Sequence, residues 1–316
     1  VKNGGFLEDC EKWFSDKRAR ASFKRFCDYT AARWGHSPRL LMWKLFTEID
    51  LTGNSLSFYK EPVMADWHRE MGRYLNEIDP YDHMVTTHWM LSYKQMNVEV
   101  AGLPELDVLT TDAYYLRGGT EDTLELIRGG AAYGEERDKP LLVTEFGGSP
   151  YGATMGDLLK QLHVGMWAGL FCGSPIPPMY WWFALIEEKA RYAEYDALGR
   201  FQKGLDRRGM APGLVEDAGD GIQLCRLAGK DLSCVWGFDT QYYFSETENL
   251  TPREVTGFEC SVPVGAPGTY EVEYWDVSTG TVRSRETVQA ADKSGNLRLR
   301  VPPFCRDFAA KVRPAP

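Results

Sequence analysis

Cysteine, histidine and basic charge are all scarce in this chain, and each shortage excludes something. Seven cysteines in 316 residues are too few for a disulfide-built scaffold, and none stands in a CxxC spacing, which argues against a metal or redox role. The odd count leaves at least one free thiol; only Cys225, Cys234, Cys260 and Cys305 lie where a small domain could be stapled. Of five histidines (His36, His68, His83, His88, His163), only His88 falls at a strand end, which does not supply the clustered ligands of a metal-dependent hydrolase. Thirty-six basic against 45 acidic residues give a net charge of −9, which repels phosphate backbones and anionic lipid surfaces. Nucleic acid is therefore excluded as the expected partner. Repeats and low-complexity tracts are absent, and 43% hydrophobic with 26% charged residues is ordinary globular usage. The opening VKNGG shows no signal peptide. Residues 164–186 lack formal charge over a length that could span a membrane, but Pro175, Pro177 and Pro178 around Gly173 break it. They are read as a buried helix, a turn and a buried strand, so no membrane span is expected.

Aromatic residues are plentiful: 13% of the chain, with ten Trp. Such rings serve either as core or as flat platforms for pyranose faces. Apolar residues recur at helical spacing over residues 6–34, and Gly35 with Pro38 ends that helix. Short apolar runs bounded by turn residues follow at 40–46, 84–87, 106–115, 140–146 and 178–183, separated by amphipathic stretches such as 65–78, 120–133 and 157–170. Buried strands alternating with helices indicate a parallel α/β sheet with units of (β/α)-barrel size. After residue 205 the stretch DRRGMAPGLVEDAGDG marks a boundary, and beyond it the period becomes two, as in YEVEYWDV (270–277) and LRLRV (297–301). The expected organisation is a barrel domain at 1–210 and an all-β sandwich at 216–316.

Chemistry in such a barrel sits where strands end. Glu48 closes LLMWKLFTEID and Glu145 closes KPLLVTEFGG, each at the emergence of a buried strand. An ionised carboxylate beside so much apolar sequence is either paired or functional. Two together meet the needs of glycoside hydrolysis, one as the acid and one as the nucleophile, and double displacement then calls for carboxyl groups about 5 to 5.5 Å apart. Tyr114, ending the 106–115 run, could orient the nucleophile. Trp181 and Trp182, ending the last run, serve as a sugar platform or as core. His88 lines the cleft or is a satisfied structural histidine.

The motifs WKLFTEID, LVTEFGG and MYWWF resemble strands four, seven and eight of the retaining glycoside hydrolases of clan A, in particular family 5. WHREMGRYLNEIDPYDHMVTT and DVLTTDAYY are similar to the fourth helix with strand five, and to strand six, of those enzymes. The resemblance covers roughly residues 1–210 and implies a TIM barrel contributing strands four to eight. It implies Glu48 as acid/base, Glu145 as nucleophile, Tyr114 as the strand-six aromatic, and Trp181 or Trp182 as the strand-eight Trp. It also implies a carbohydrate substrate and no cofactor or metal. The family places Asn before its acid/base, where it binds the substrate 2-hydroxyl. Here that position is Thr47, whose shorter side chain leaves the contact weakened or supplied elsewhere, which implies either an unusual substrate or reduced activity. The family's strand-two Arg and strand-three His have no counterpart. Five strands cannot close an eight-stranded barrel, so the expectation is an N-terminal fragment or second chain of roughly a hundred residues completing it. A secreted or periplasmic location is expected. The alternative is a non-hydrolytic carbohydrate-binding protein on a decayed barrel, which Thr47 favours and the two Glu residues disfavour.

Overall fold

The computed structural model describes residues 5–213, 216–247, 249–290 and 295–315. They form two compact units, one of residues 5–114 with Gly129–Thr144, the other of Tyr115–Arg128 with residues 145–315.

The first unit opens with a 3-10 turn, Cys10–Phe14, before helix α1 (Lys17–Trp34). The helix expected over 6–34 therefore starts later, because the Asp16 side chain accepts the Arg18 and Ala19 amides at 2.7 and 3.1 Å and sets a new N-cap. Strand β1 (Met42–Lys44), α2 (Pro62–Ile78), β2 (Met84–Thr86), β3 (His88–Trp89), α3 (Val98–Ala101) and β4 (Leu109–Ala113) follow. Then come α4 (Thr120–Glu135) and β5 (Leu141–Phe146), each running from one unit into the other. Pro62 occupies the first turn of α2, where its missing N–H costs nothing. The helix buries Met64, Trp67, His68, Met71 and Leu75 along one stripe. β1 pairs in parallel with β2, Met42 opposite Met84. β3 pairs in parallel with β4, His88 opposite Thr110, and the sheet order is β3-β4-β5. Every residue of β4 is buried, as in a strand covered on both faces. Its threonines satisfy their hydroxyls on backbone carbonyls, Thr110 on Thr87 at 2.9 Å and Thr111 on Trp89 at 3.3 Å.

In the second unit the strand expected over 178–183 shrinks to one parallel bridge, Phe146 opposite Tyr180. The Phe146 N–H donates to Met179 and the Trp181 N–H to Phe146, both at 3.0 Å. Pro177 and Pro178 lack the amide hydrogens a ladder needs, and after Trp181 the chain turns into α6 (Phe183–Glu188) with Trp182 as its N-cap. Trp181 and Trp182 thus follow a bridge rather than closing a strand. α5 (Met155–Phe171) is buried along nearly its whole length. Its Gly165 and Gly169 admit the Phe146 ring and Pro178 so closely that a methyl group at either position would collide with them. The run 164–186 accordingly resolves into a buried helix, a turn and the bridge. No helix among the described residues is long and apolar enough to cross a membrane.

After α7 (Tyr192–Gln202) the unit is built largely of strands: β6 (Ala211–Pro212), β7 (Glu216–Asp217), β8 (Ile222–Ala228) and β9 (Ser233–Asp239), then a short α8 (Thr240–Tyr243). The remainder are β10 (Glu254–Val255), β11 (Glu259–Pro263), β12 (Gly268–Asp276), β13 (Thr281–Ala290), β14 (Asn296–Arg300), β15 (Phe304–Cys305) and β16 (Asp307–Pro314). One sheet runs β13-β12-β16-β9-β8-β6 with β7 also on β8, and the pairs β11–β14 and β10–β15 lie outside it. Residues of both sets, among them Leu224, Val235, Val262, Val272, Leu299 and Phe308, share one core, which makes this a sandwich. Alternation is clean in β14, where only Leu297 and Leu299 are buried. β9 instead is buried at every position. Its Trp236 packs against Trp167 and Phe171 of α5 at ring distances of 6.1 and 6.2 Å, so the strand is covered on its second face too. All seven cysteines are free thiols, and the sandwich holds without the staple Cys225, Cys234, Cys260 and Cys305 could have made.

Beside this contact lies a buried ion cluster. His163 of α5 joins Glu194 through Nδ1 at 2.8 Å and Asp307 through Nε2 at 2.6 Å. Burial alone would lower its pKa, but Asp307 and Glu194 outweigh it and raise the ring to about 9. A folded-state value above the unfolded one means stability complete below about pH 6.5 and lost as pH rises through about 9. Between pH 7 and pH 10 the wild type should lose on the order of 2 kcal/mol more than His163→Gln does in urea unfolding. Parallel losses in the two proteins would show that the cluster contributes no charge-dependent stability.

Candidate active site

Past Lys44 the parallel ladder continues irregularly: Leu45 N–H donates to Thr86 at 2.8 Å and His88 N–H to Phe46 at 3.1 Å. The next donor, the Glu48 N–H, finds the His88 ring rather than a carbonyl, donating to Nδ1 at 3.2 Å. Glu48 lies at φ 49°, ψ 54°, the left-handed region, which costs a non-glycine residue about 1–2 kcal/mol. Retaining such a backbone at a half-buried carboxylate is typical of sites where geometry matters more than local comfort. The 3-10 turn Ile49–Leu51 begins there, with Leu51 N–H bonded to the Glu48 carbonyl at 3.0 Å. Thr47, just before it, is exposed.

Because Nδ1 of His88 accepts from an amide, the neutral ring carries its hydrogen on Nε2. That nitrogen donates to Asp112 Oδ1 at 2.7 Å. Both side chains are essentially out of solvent at 1% exposure. One carboxylate oxygen of Asp112 lies within 4.8 Å of one from Glu48. Burial first, then the charges of Glu48 and Asp50, push the Asp112 carboxyl up to about 8, with Lys44 opposing. Asp50 accepts the Met90 N–H at 2.8 Å, yet its burial still holds it up at about 6. Asp50 and Asp112 are not among the strand-end residues expected from the sequence. The same signal was present in DVLTTDAYY, where an acid closes an apolar run as Glu48 and Glu145 do. Tyr114, one residue past β4, is buried, and its N–H donates to the Leu91 carbonyl at 2.7 Å. This unit therefore gathers Glu48 and Asp50 from the turn after β1, His88 from the start of β3 and Asp112 from β4, just before its end at Ala113. Chemically, it offers a carboxyl group that can take or give a proton and a buried acid poised to remain neutral near pH 7.

In the second unit Glu145 is the half-buried penultimate residue of β5. The chain leaves the strand through Gly147 and Gly148, at φ 116° and 72°. The Trp182 Nε1–H donates to the Gly147 carbonyl at 2.6 Å, and the indole ring lies over Gly152. A side chain on Gly147 would strike the Tyr180 ring, so this turn needs glycine for space as well as for φ. Gln161 of α5 accepts the Gly148 N–H at 2.5 Å and donates to the Tyr115 hydroxyl at 2.7 Å, fixing the loop. Trp181 is 43% exposed and Trp182 half-buried, so neither is simple core.

No family model matches the sequence, and no curated protein resembles it. Solved structures do. A glycoside hydrolase family 30 endoxylanase from Clostridium papyrosolvens aligns over 95% of this chain and 72% of its own, at 11% identity and a TM-score of 0.57. A family 30 subfamily 8 xylanase from Clostridium acetobutylicum aligns over 95% and 73%, at 12% identity and 0.58. An Anoxybacillus α-amylase aligns over 96% and 64%, at 12% identity and 0.56. At such identities the likeness is one of fold, and it does not single out family 5. The two xylanases are TIM-barrel enzymes with a C-terminal β domain, and the mixed α/β strands and β sandwich of this chain agree with that fold.

Proposed function

We propose that this chain is a retaining glycoside hydrolase acting on β-linked polysaccharide or oligosaccharide. Glu145 attacks the anomeric carbon while Glu48 protonates the departing oxygen, and Glu48 then takes a proton from the water that releases the sugar. Tyr114 steadies the nucleophile, Trp181 and Trp182 stack on sugar rings, and Thr47 joins the substrate surface, whereas His88, expected either in the cleft or as a satisfied structural histidine, is buried and orients Glu48 and Asp112 from behind it. The chemistry uses carboxyl groups and water and calls for no cofactor. The observation that carries this reading is the end of β1, where a strained backbone, a tautomer-fixed His88 and a buried acid surround Glu48. With β2 and β3 counted as one position, the parallel strands and the Tyr180 bridge make five positions among the described residues, three short of an eight-stranded barrel, so the proposal includes a further segment or chain supplying βα units. Residues 1–210 then belong to the barrel and 216–316 to an accessory sandwich.

Nuclear magnetic resonance of the first product from xylan, mannan, β-glucan and aryl β-glycosides tests the mechanism. Retained β configuration is expected; inversion would remove Glu145 from its role. A second reading, carbohydrate binding without hydrolysis, is favoured by Thr47, which offers one hydroxyl where an amide binds the 2-hydroxyl. Saturable binding with no product on the same panel would establish it.

A further inference from the structure

Asp112 Oδ2 is buried and has no hydrogen-bond partner among the described residues, whereas Oδ1 is fully committed to His88 Nε2–H. An ionised oxygen without donors, in a side chain 1% exposed, is among the costlier states a protein can hold. A proton on Oδ2 removes that cost and makes the oxygen a donor, and a Glu48 carboxylate oxygen lies within 4.8 Å of one of the two Asp112 oxygens, close enough for a small side-chain movement to join the pair.

We infer that Asp112 is a positioning residue for the acid/base: it stores on Oδ2 the single proton of an Asp112–Glu48 pair and passes it through Glu48 to the leaving oxygen. This rests on the reading of Glu48 as acid/base. In the first half-reaction the glycosidic C–O bond breaks with its electron pair on the leaving oxygen, a bond forms from Glu145 to the anomeric carbon, and the pair is left doubly ionised. In the second, water adds to that carbon as its hydroxyl, the bond to Glu145 breaks, and the water proton returns through Glu48 to Asp112. The groups facing Asp112 are Glu48, Asp50 of the 3-10 turn, His88 of β3 and Lys44 of β1, with Glu145 added on the proposed reading. His88 makes the arrangement directional, since its fixed tautomer occupies Oδ1 and leaves only Oδ2 for the proton. The carboxyl held at about 8 agrees with this placement.

Asp112→Asn tests the inference, because the amide keeps an acceptor for His88 and a donor for Glu48 but has no proton to give. With the pair reduced to a single carboxyl, the alkaline limb of kcat/KM should move acid-ward by about one pH unit or more. A loss equal at every pH, with the limb unmoved, would make Asp112 merely structural and overturn the proposal. Infrared difference spectroscopy supplies a readout independent of turnover and of the variant's folding. The wild type should show a protonated-carboxyl band at pH 7 that fades above about pH 8; its absence at pH 7 overturns the stored proton. If the wild type hydrolyses no glycoside, the glycosidase reading fails and the relay fails with it, while the band still reports separately whether Asp112 carries the proton.

Discussion

Glu145→Gln should lower kcat/KM by at least about 10³-fold on every β-glycoside the parent cleaves, while leaving the unfolding midpoint nearly unchanged. The amide has the size of the carboxylate and the same half-buried place at the end of β5, so the fold has little reason to respond. What it lacks is the anionic oxygen whose nucleophilicity forms the glycosyl–enzyme ester. Glu48→Ala should cost less, about 10²–10⁴-fold, and the cost should depend on the substrate. Glycosides with good leaving groups need no proton in the first step, so on them the variant should accumulate glycosyl–enzyme and wait for water that lacks a base. A small anion such as azide needs no base and should restore turnover in Glu48→Ala with retained configuration. In Glu145→Ala the same anion would enter from the opposite side and give the inverted product. Full activity in Glu145→Gln, or identical anion products from the two variants, would sink the assignment of roles.

Trp236→Ala should destabilise the protein by about 3–5 kcal/mol, the usual cost of emptying a large aromatic site that cannot collapse. Trp236 is fully buried and stacks on Phe238 at 4.6 Å between ring centres, besides touching Trp167 and Phe171. Its partners are themselves locked: Trp167 also meets Phe201 at 5.1 Å, and Phe201 meets Trp275 of β12 at 5.3 Å. A hole in the middle of this cluster is lined from several elements at once, so relaxation of one element cannot fill it. Urea unfolding followed by tryptophan fluorescence would measure the effect. A loss below about 1 kcal/mol would mean that the cluster repacks freely.

Much of this architecture could be read from the chain because the physics behind it is local. The strands at 84–89, 109–113 and 141–146 announce themselves as apolar runs between turn residues, and α2 as a stripe ending before Pro80, whereas the run at 40–46 holds only the three-residue β1, whose side chains are half-buried or exposed rather than buried. The sandwich showed in the period of two over β12 and β14. The last barrel run ends in a bridge rather than the expected strand because hydrophobicity ignores hydrogen-bond donors, and Pro177 and Pro178 remove two of them. Helix α1 starts later than its periodicity predicts because an Asp side chain can cap a helix in the middle of a helical pattern. At the site, Glu48 and His88 were visible as polar residues at strand ends. The hydrogen bond from the Glu48 amide to His88, and the pairing of His88 with Asp112, were not, since they join residues 40 and 24 positions apart. The left-handed Glu48 backbone has no sequence signature, because glycine is absent there.

The complete burial of β9 also bears on how this protein can be taken apart. A sandwich appended as an independent module would show a polar outer face along its strands. Here Trp236 and Trp275 of that sheet meet Trp167, Phe171 and Phe201 from α5 and α7. A chain cut between residues 205 and 216 would bare those rings on both pieces. Neither piece is then a free-standing part for recombination with other modules, and any shortened version needs new polar residues on α5 and α7 before it can remain soluble.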